Sequence, residues 1–163
     1  VLSVEGVLDL RIKKYTRGTG SFDVYLITEN PRNDNAIIKE VQQVLEEKES
    51  FGVSGNVLTP NLVDISMNIN LIFYDNVNQD RKNELRKNTR DIISDYISDI
   101  VLGKSLIITE VINRVMDVDN SNSNDEKKDM VITSLEINGD SATITNQSFY
   151  WDERAVPTNI SVR

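Results

Sequence analysis

The chain of 163 residues is 39% hydrophobic and 27% charged, carries a formal net charge of −8, and contains neither histidine nor cysteine. That balance belongs to a soluble globular protein of one domain or two small ones, and its sign argues against nucleic-acid and membrane partners. Without His and Cys there is no imidazole proton shuttle, no Ser-His-Asp or Cys-His catalysis, no disulfide and no zinc–thiolate site. Any chemistry would fall to carboxylates, Lys, Tyr, Ser/Thr or an oxygen-ligated metal.

No apolar run approaches the ~20 residues that span a bilayer. The first residue is not Met, no basic-then-apolar leader follows, and VLSVEGV reads as the interior of a longer chain. Residues 7–13 (VLDLRIK) alternate, with Leu8, Leu10 and Ile12 on one face, which predicts a half-buried strand. Residues 21–28 (SFDVYLIT) predict a second strand, and YTRGTG between them makes a hairpin turn in which Gly18 or Gly20 supplies a positive φ. A phosphate-binding glycine loop is the competing reading. It would have to lead into a helix N-terminus, whereas Gly18 and Gly20 lead into a β-branched and aromatic strand, and Asp23 stands where the third glycine would be.

After NPRNDN, with Asn33 or Asp34 as cap, residues 36–48 place Ile37, Ile38, Val41, Val44 and Leu45 on one helical stripe. Residues 50–60 read as a Gly-punctuated loop, and residues 61–74 as a long strand with Val63, Ile65, Met67, Ile69 and Leu71 on one face. Residues 80–102 predict the longest helix, with Leu85, Ile92, Ile93, Tyr96, Ile97, Ile100 and Val101 buried, an N-terminal third polar all round, and Gly103 as the left-handed cap. A short helix follows at 109–116, capped by Thr109, with Val111, Ile112 and Val115 packing. Residues 117–129 read as a polar loop, and 130–138 with 142–147 as a second hairpin turning at Asn138-Gly139. An edge strand is expected at 159–162. The stretches 2–7 and 112–118 resemble each other, each a helix end followed by a Val that begins a strand, and suggest two related units.

The candidate sites are few. Asp117, Asp119, Ser121, Ser123 and Asp125 fall at alternate positions of an EF-hand-like loop, but Asn122 replaces the essential Gly and Lys128 the bidentate Glu. No metal or cofactor is therefore expected. Glu46/Glu47 and Asp152/Glu153 are sequence neighbours rather than acids facing across a cleft, so neither pair makes a hydrolase site. Phe149-Tyr150-Trp151 leaves an aromatic exposed if one strand face is core, whether as a rim Tyr or as an interface. Partner contacts are expected at the turn carrying Arg17, at the polar helix start carrying Arg81 and Arg86, and along the tail carrying Tyr150, Trp151 and Arg154.

The order of these signals resembles the baseplate J-like family of contractile phage tails and injection systems. The resemblance rests on V-x-G-V (4–7), Arg17-Gly-x-Gly-Ser with the strand to Leu26, an amphipathic helix, a loop closing at Pro60, a long alternating strand, and D-Y-I-x-x-I-x-x-G (95–103). It departs at Met116-Asp117, where Gly is usual, and in the long Asn/Ser-rich loop. The resemblance implies an α+β fold of two small units, each with helices on a short, mostly antiparallel sheet: a central domain over 1–58 and a C-terminal domain over 59–163. It further implies a non-enzymatic wedge subunit that assembles with other wedge proteins, copies of itself, the central hub or spike, and the sheath, and that passes on the contraction trigger. Its place would be the virion baseplate or an injection-system particle made in the bacterial cytoplasm. A receptor- or carbohydrate-binding module is the alternative.

Overall fold

The alternating segments form the sheets expected of them. The computed structural model describes residues 4–120, 129–141 and 147–163. Its elements are β1 (Val7–Lys14), β2 (Ser21–Thr28), α1 (Asn35–Glu46), β3 (Ser54–Leu58), β4 (Asn61–Phe73), α2 (Gln79–Ser98), α3 (Ile108–Asn120), β5 (Met130–Ile137), β6 (Asp140–Ser141) and β7 (Glu153–Val162). The fold is α+β. The chain divides into two compact units, Val1–Leu62 and Val63–Arg163, holding a sheet of order β1-β2-β3 and a sheet of order β6-β5-β4-β7.

In the first unit β1 and β2 are antiparallel, with Leu10 opposite Leu26 and Ile12 opposite Val24. The turn between them carries Tyr15 at φ 61°, Gly18 at φ 106° and Gly20 at φ 82°. It runs into a strand, so its amides do not converge on an anion as they would at a helix N-terminus. α1 crosses over to β3, which lies parallel to β2, and buries Val41 with Ile37, Ile38, Val44 and Leu45 beside Val24, Leu26 and Val57. Asp34 is the residue at the helix N-cap, but its side chain makes no cap hydrogen bond. It is buried and accepts from the Thr28 hydroxyl at 3.4 Å.

The strand β3 corrects the reading of residues 50–60 as loop. Its sequence SGNVL has low strand propensity, and long-range partners make it a strand. A Cβ on Gly55 would lie 2.6 Å from both Leu45 Cδ2 and Phe22 Cζ, so glycine here permits close approach of helix and sheet. Its outer edge is closed by side chains. Gln42 of α1 accepts from the Val57 N–H at 2.8 Å and donates to the Gly55 carbonyl at 3.2 Å, and the Glu49 carboxylate accepts from the Gly55 N–H.

In the second unit β4 pairs antiparallel with β5, Met67 opposite Ile137 and Ile69 opposite Leu135. β7 lies on the other side. The Arg163 N–H donates to the Ile69 carbonyl and the Arg163 carbonyl accepts from the Leu71 N–H, the staggered pattern of a parallel pair. An edge position suits Pro157, which has no N–H to give, and the strand is longer than the expected 159–162. One face of β4 (Ile65, Met67, Ile69, Leu71) packs with Leu85, Ile93, Ile97, Val111 and Val115 of α2 and α3. On the other face Asn68 and Asn70 bond to Glu136 and Ser134 of β5. Asn138 (φ 52°) and Gly139 (φ 90°) make the expected two-residue turn. The turn is tied to β4 by Ser66, whose N–H donates to Asn138 Oδ1 at 2.8 Å. Of the expected return strand at 142–147, residues 142–146 lie outside the described residues.

The helices depart from expectation in three places. α2 ends at Ser98, so Gly103 is not its cap. Gly103 does take a positive φ of 70°, but it serves a different contact: its N–H donates to the Glu153 carbonyl, and a Cβ would lie 2.7 Å from Trp151 Cα. In its N-terminal third α2 buries Leu85 as expected and Thr89 as well, while Val101, expected on the buried stripe, lies beyond the helix and is exposed. α3 begins at Ile108, so Thr109 lies in its first turn rather than capping it; the helix runs on to Asn120, into the expected polar loop, and Ile112 faces outward. Val118 sits inside α3 and does not begin a strand, so the resemblance between 2–7 and 112–118 has no structural counterpart.

Candidate interaction surfaces

Four of the six candidate contact residues are arginines, and the structure gives each an internal environment. Arg17 braces the β1–β2 turn: its N–H donates to Ser21 Oγ at 2.8 Å, and its guanidinium pairs with Asp23 and reaches the Phe22 carbonyl at 3.3 Å. Arg81 bonds Glu84 at 3.1 Å and Asp129 at 3.3 Å. Burial works to lower its pKa, but the hydrogen bonds and charges of Glu84 and Asp129 outweigh burial and hold it above the usual arginine value. It stays a cation that ties the start of α2 to the start of β5. Arg86 stacks over the Phe73 ring, 4.8 Å from its centroid, with Lys82 at 5.9 Å. Arg154 is buried, at 6% exposure.

The two aromatic candidates lie at the surface. Phe149, Tyr150 and Trp151 form a turn before β7 rather than part of an alternating strand. Phe149 packs on the core while Tyr150 (77% exposed) and Trp151 (42%) stand outward together. The Tyr150 N–H donates to Glu153 Oε2 at 2.7 Å, and Gly103 packs behind Trp151. The pair is therefore presented on a braced turn. Val101 and Ile107, also exposed, belong to the segment joined to this turn through Gly103 and through the Leu106–Gln147 bridge.

Other exposed apolar residues escaped the sequence. Leu8 and Ile12 were expected on the covered face of β1, yet both are 56% exposed. β1 is the edge strand, and α1 packs over β2 and β3 instead. Tyr15, Phe51 and Val53 are exposed nearby, and a shallow cavity of about 290 Å³ is lined by Ile12, Lys14, Tyr15, Gly20, Ser21, Phe22 and Val53. No acid lines it. In the second unit Ile72, Tyr74 and Val131 are exposed at one end of the sheet. The signal that could have found the β1 patch was topological: a strand at a sheet edge keeps only part of its apolar face covered.

The EF-hand-like pattern is broken at its start. Asp117 and Asp119 lie on α3, and the Asp119 carboxylate accepts the N–H groups of Asp129 (2.8 Å) and Met130 (3.3 Å). Residues 121–128 lie outside the described residues. Among the described residues no cluster of three or more acids could hold a metal ion, and no helix is long and apolar enough to cross a membrane. Because Asp119 is buried and receives two amides, Asp119→Ala should lower stability by about 1–3 kcal/mol, read as a shifted urea midpoint with Trp151 fluorescence as probe. Asp117→Ala, two positions earlier on the same helix but exposed, also removes a carboxylate without unpairing buried amides and should shift it far less.

No family model matches the sequence, and none of the curated proteins does. By structure, the chain is similar to a chain in the cryo-EM structure of the anti-feeding prophage baseplate, six-fold symmetrised, with a TM-score of 0.52 and 12% identity. The match covers 85% of this chain and spans 29% of that one. What the two share is a fold, and this chain carries the fold of one segment of a longer chain found in a baseplate.

Proposed function

We propose that this chain is a structural component of a contractile-tail or injection-system baseplate, without catalytic activity. More specifically, we assign it to a wedge protein of the baseplate J-like type. The observation that carries the reading is the fold match over most of the chain to part of a baseplate chain. The order of motifs from Val4 to Gly103 supports the finer assignment. Its partners would be other wedge subunits, further copies, the hub or spike and the sheath, and its role in contraction would be to transmit movement between them. Such work needs complementary area rather than reacting groups.

The turn of Tyr150 and Trp151 is the contact we assign to a neighbouring subunit, because exposed aromatics held on a rigid backbone lose little entropy on docking. Co-expression with the proteins encoded beside it tests this. Co-purification with a tail protein is expected, and Tyr150→Ala/Trp151→Ala should weaken it by tenfold or more with the circular dichroism spectrum unchanged. A full-length protein that stays monomeric beside every tail protein would sink the reading. The same exposed pair favours one second reading, a stacking platform for a sugar ring. Glycan-array binding abolished by Trp151→Ala would select it.

A further inference from the structure

The two edges of the first sheet are treated differently. At β3 the outward amides of Gly55 and Val57 and the Gly55 carbonyl are taken by Gln42 and Glu49, which obstructs addition of a strand on that side. At β1 there is no such cover. The Tyr15 N–H donates inward, to the Ser21 carbonyl at 2.7 Å. By the alternation of an antiparallel ladder, Arg11 and Lys13 also point their amides toward β2, while Leu10, Ile12 and Lys14 point theirs away. The Leu10 N–H is caught by Asp9 Oδ1 at 2.8 Å. No strand among the described residues pairs with the outer side of Ile12 and Lys14.

Side chains and charge mark the same edge. Leu8 and Ile12 stand half-exposed on one face, and the cavity bounded by Ile12, Tyr15, Phe22 and Val53 continues from them. The other face carries Asp9, Arg11 and Lys13. Lys14 sits at the cavity rim. In a chain of formal charge −8, this strand holds three cations against one acid that is engaged with its own backbone.

We infer that β1 is a docking edge for an extended segment of a partner protein, one that alternates apolar with acidic residues. Its backbone extends the sheet beyond Ile12 and Lys14, its apolar side chains cover Leu8, Ile12 and the cavity, and its acids meet Arg11 and Lys13. A second copy of the same strand is a poor occupant, because pairing β1 with itself brings like charges together across the ladder. The inference goes beyond the baseplate assignment and does not depend on it.

The test uses the purified chain and labelled short peptides in which Val alternates with Glu, Lys or Ser, followed by fluorescence anisotropy. The Val/Glu peptide is expected to bind at least tenfold more tightly than the Val/Lys peptide. Methylating its alternate amide nitrogens should abolish binding in one register and spare it in the other, as main-chain pairing on one side requires. Arg11→Glu/Lys13→Glu should invert the charge preference. Equal affinity for all three peptides, binding insensitive to methylation in both registers, or no binding would each overturn the inference, and the methylation arm does so on unmutated protein. A dimer of the chain alone that competes with the Val/Glu peptide would overturn it in favour of self-pairing.

Discussion

Gly20→Ala is expected to destabilise the first unit by about 2–5 kcal/mol. Gly20 sits at φ 82°, where an L-residue costs roughly 1–2 kcal/mol. A Cβ there would also collide with the Gly52 carbonyl oxygen. That obstacle is backbone, and forcing backbone apart adds typically another 1–3 kcal/mol. A unit of this size has roughly 3–9 kcal/mol of total stability, so the substitution removes a large share of it. Gly52→Ala is the matched comparison: its φ is 81° and nothing lies within 4 Å of its Cβ, so only the conformational part applies. Far-UV circular dichroism against urea is the measurement. Trp151 belongs to the other unit. Equal midpoints for the two variants would remove the steric argument.

Leu85→Ala is expected to cost about 2–5 kcal/mol, the range for emptying a closed apolar site. Leu85 has no exposed surface and packs among the residues of β4, α2 and α3. Ile112→Ala, on the outward side of α3, should change stability by only about 0.5 kcal/mol. Trp151 fluorescence during urea unfolding separates them, since all three residues lie in the second unit. The comparison is sharp because periodicity places both Leu85 and Ile112 on buried stripes, and only Leu85 is buried.

Ile112 shows where the sequence stops being informative. The strands β1, β2 and β4 and the helices α1 and α2 were legible because each repeats its apolar residues over several periods, and Asn138-Gly139 because its turn demands two positive φ values. β3 was not legible. Its Gly55 and Asn56 make sense only beside Leu45 and Phe22, whose approach is a tertiary fact. Gly103 announced a positive φ correctly, but its partner is Trp151, far along the chain, rather than the end of α2. Among the candidate contacts, the exposed aromatic at Tyr150–Trp151 followed from crowding three aromatics into one stretch. The arginines did not follow. A cation looks like a surface group until the structure supplies Asp23 for Arg17, Asp129 for Arg81 and the Phe73 ring for Arg86. Exposure at Leu8 and Ile12 depends on which strand ends up at an edge, and no window along β1 contains that information.

Gln42 also bears on how the first unit comes together. The group that shields the outer side of β3 is carried by α1, and the bonds it makes span 13 and 15 positions of sequence. Synthesis delivers the helix before the strand. When β3 leaves the ribosome, the amide that will occupy its free groups is therefore already present, and the vulnerable side is closed in the same step that docks it. Short sequence separation makes that closure fast, leaving little time for stray intermolecular pairing there.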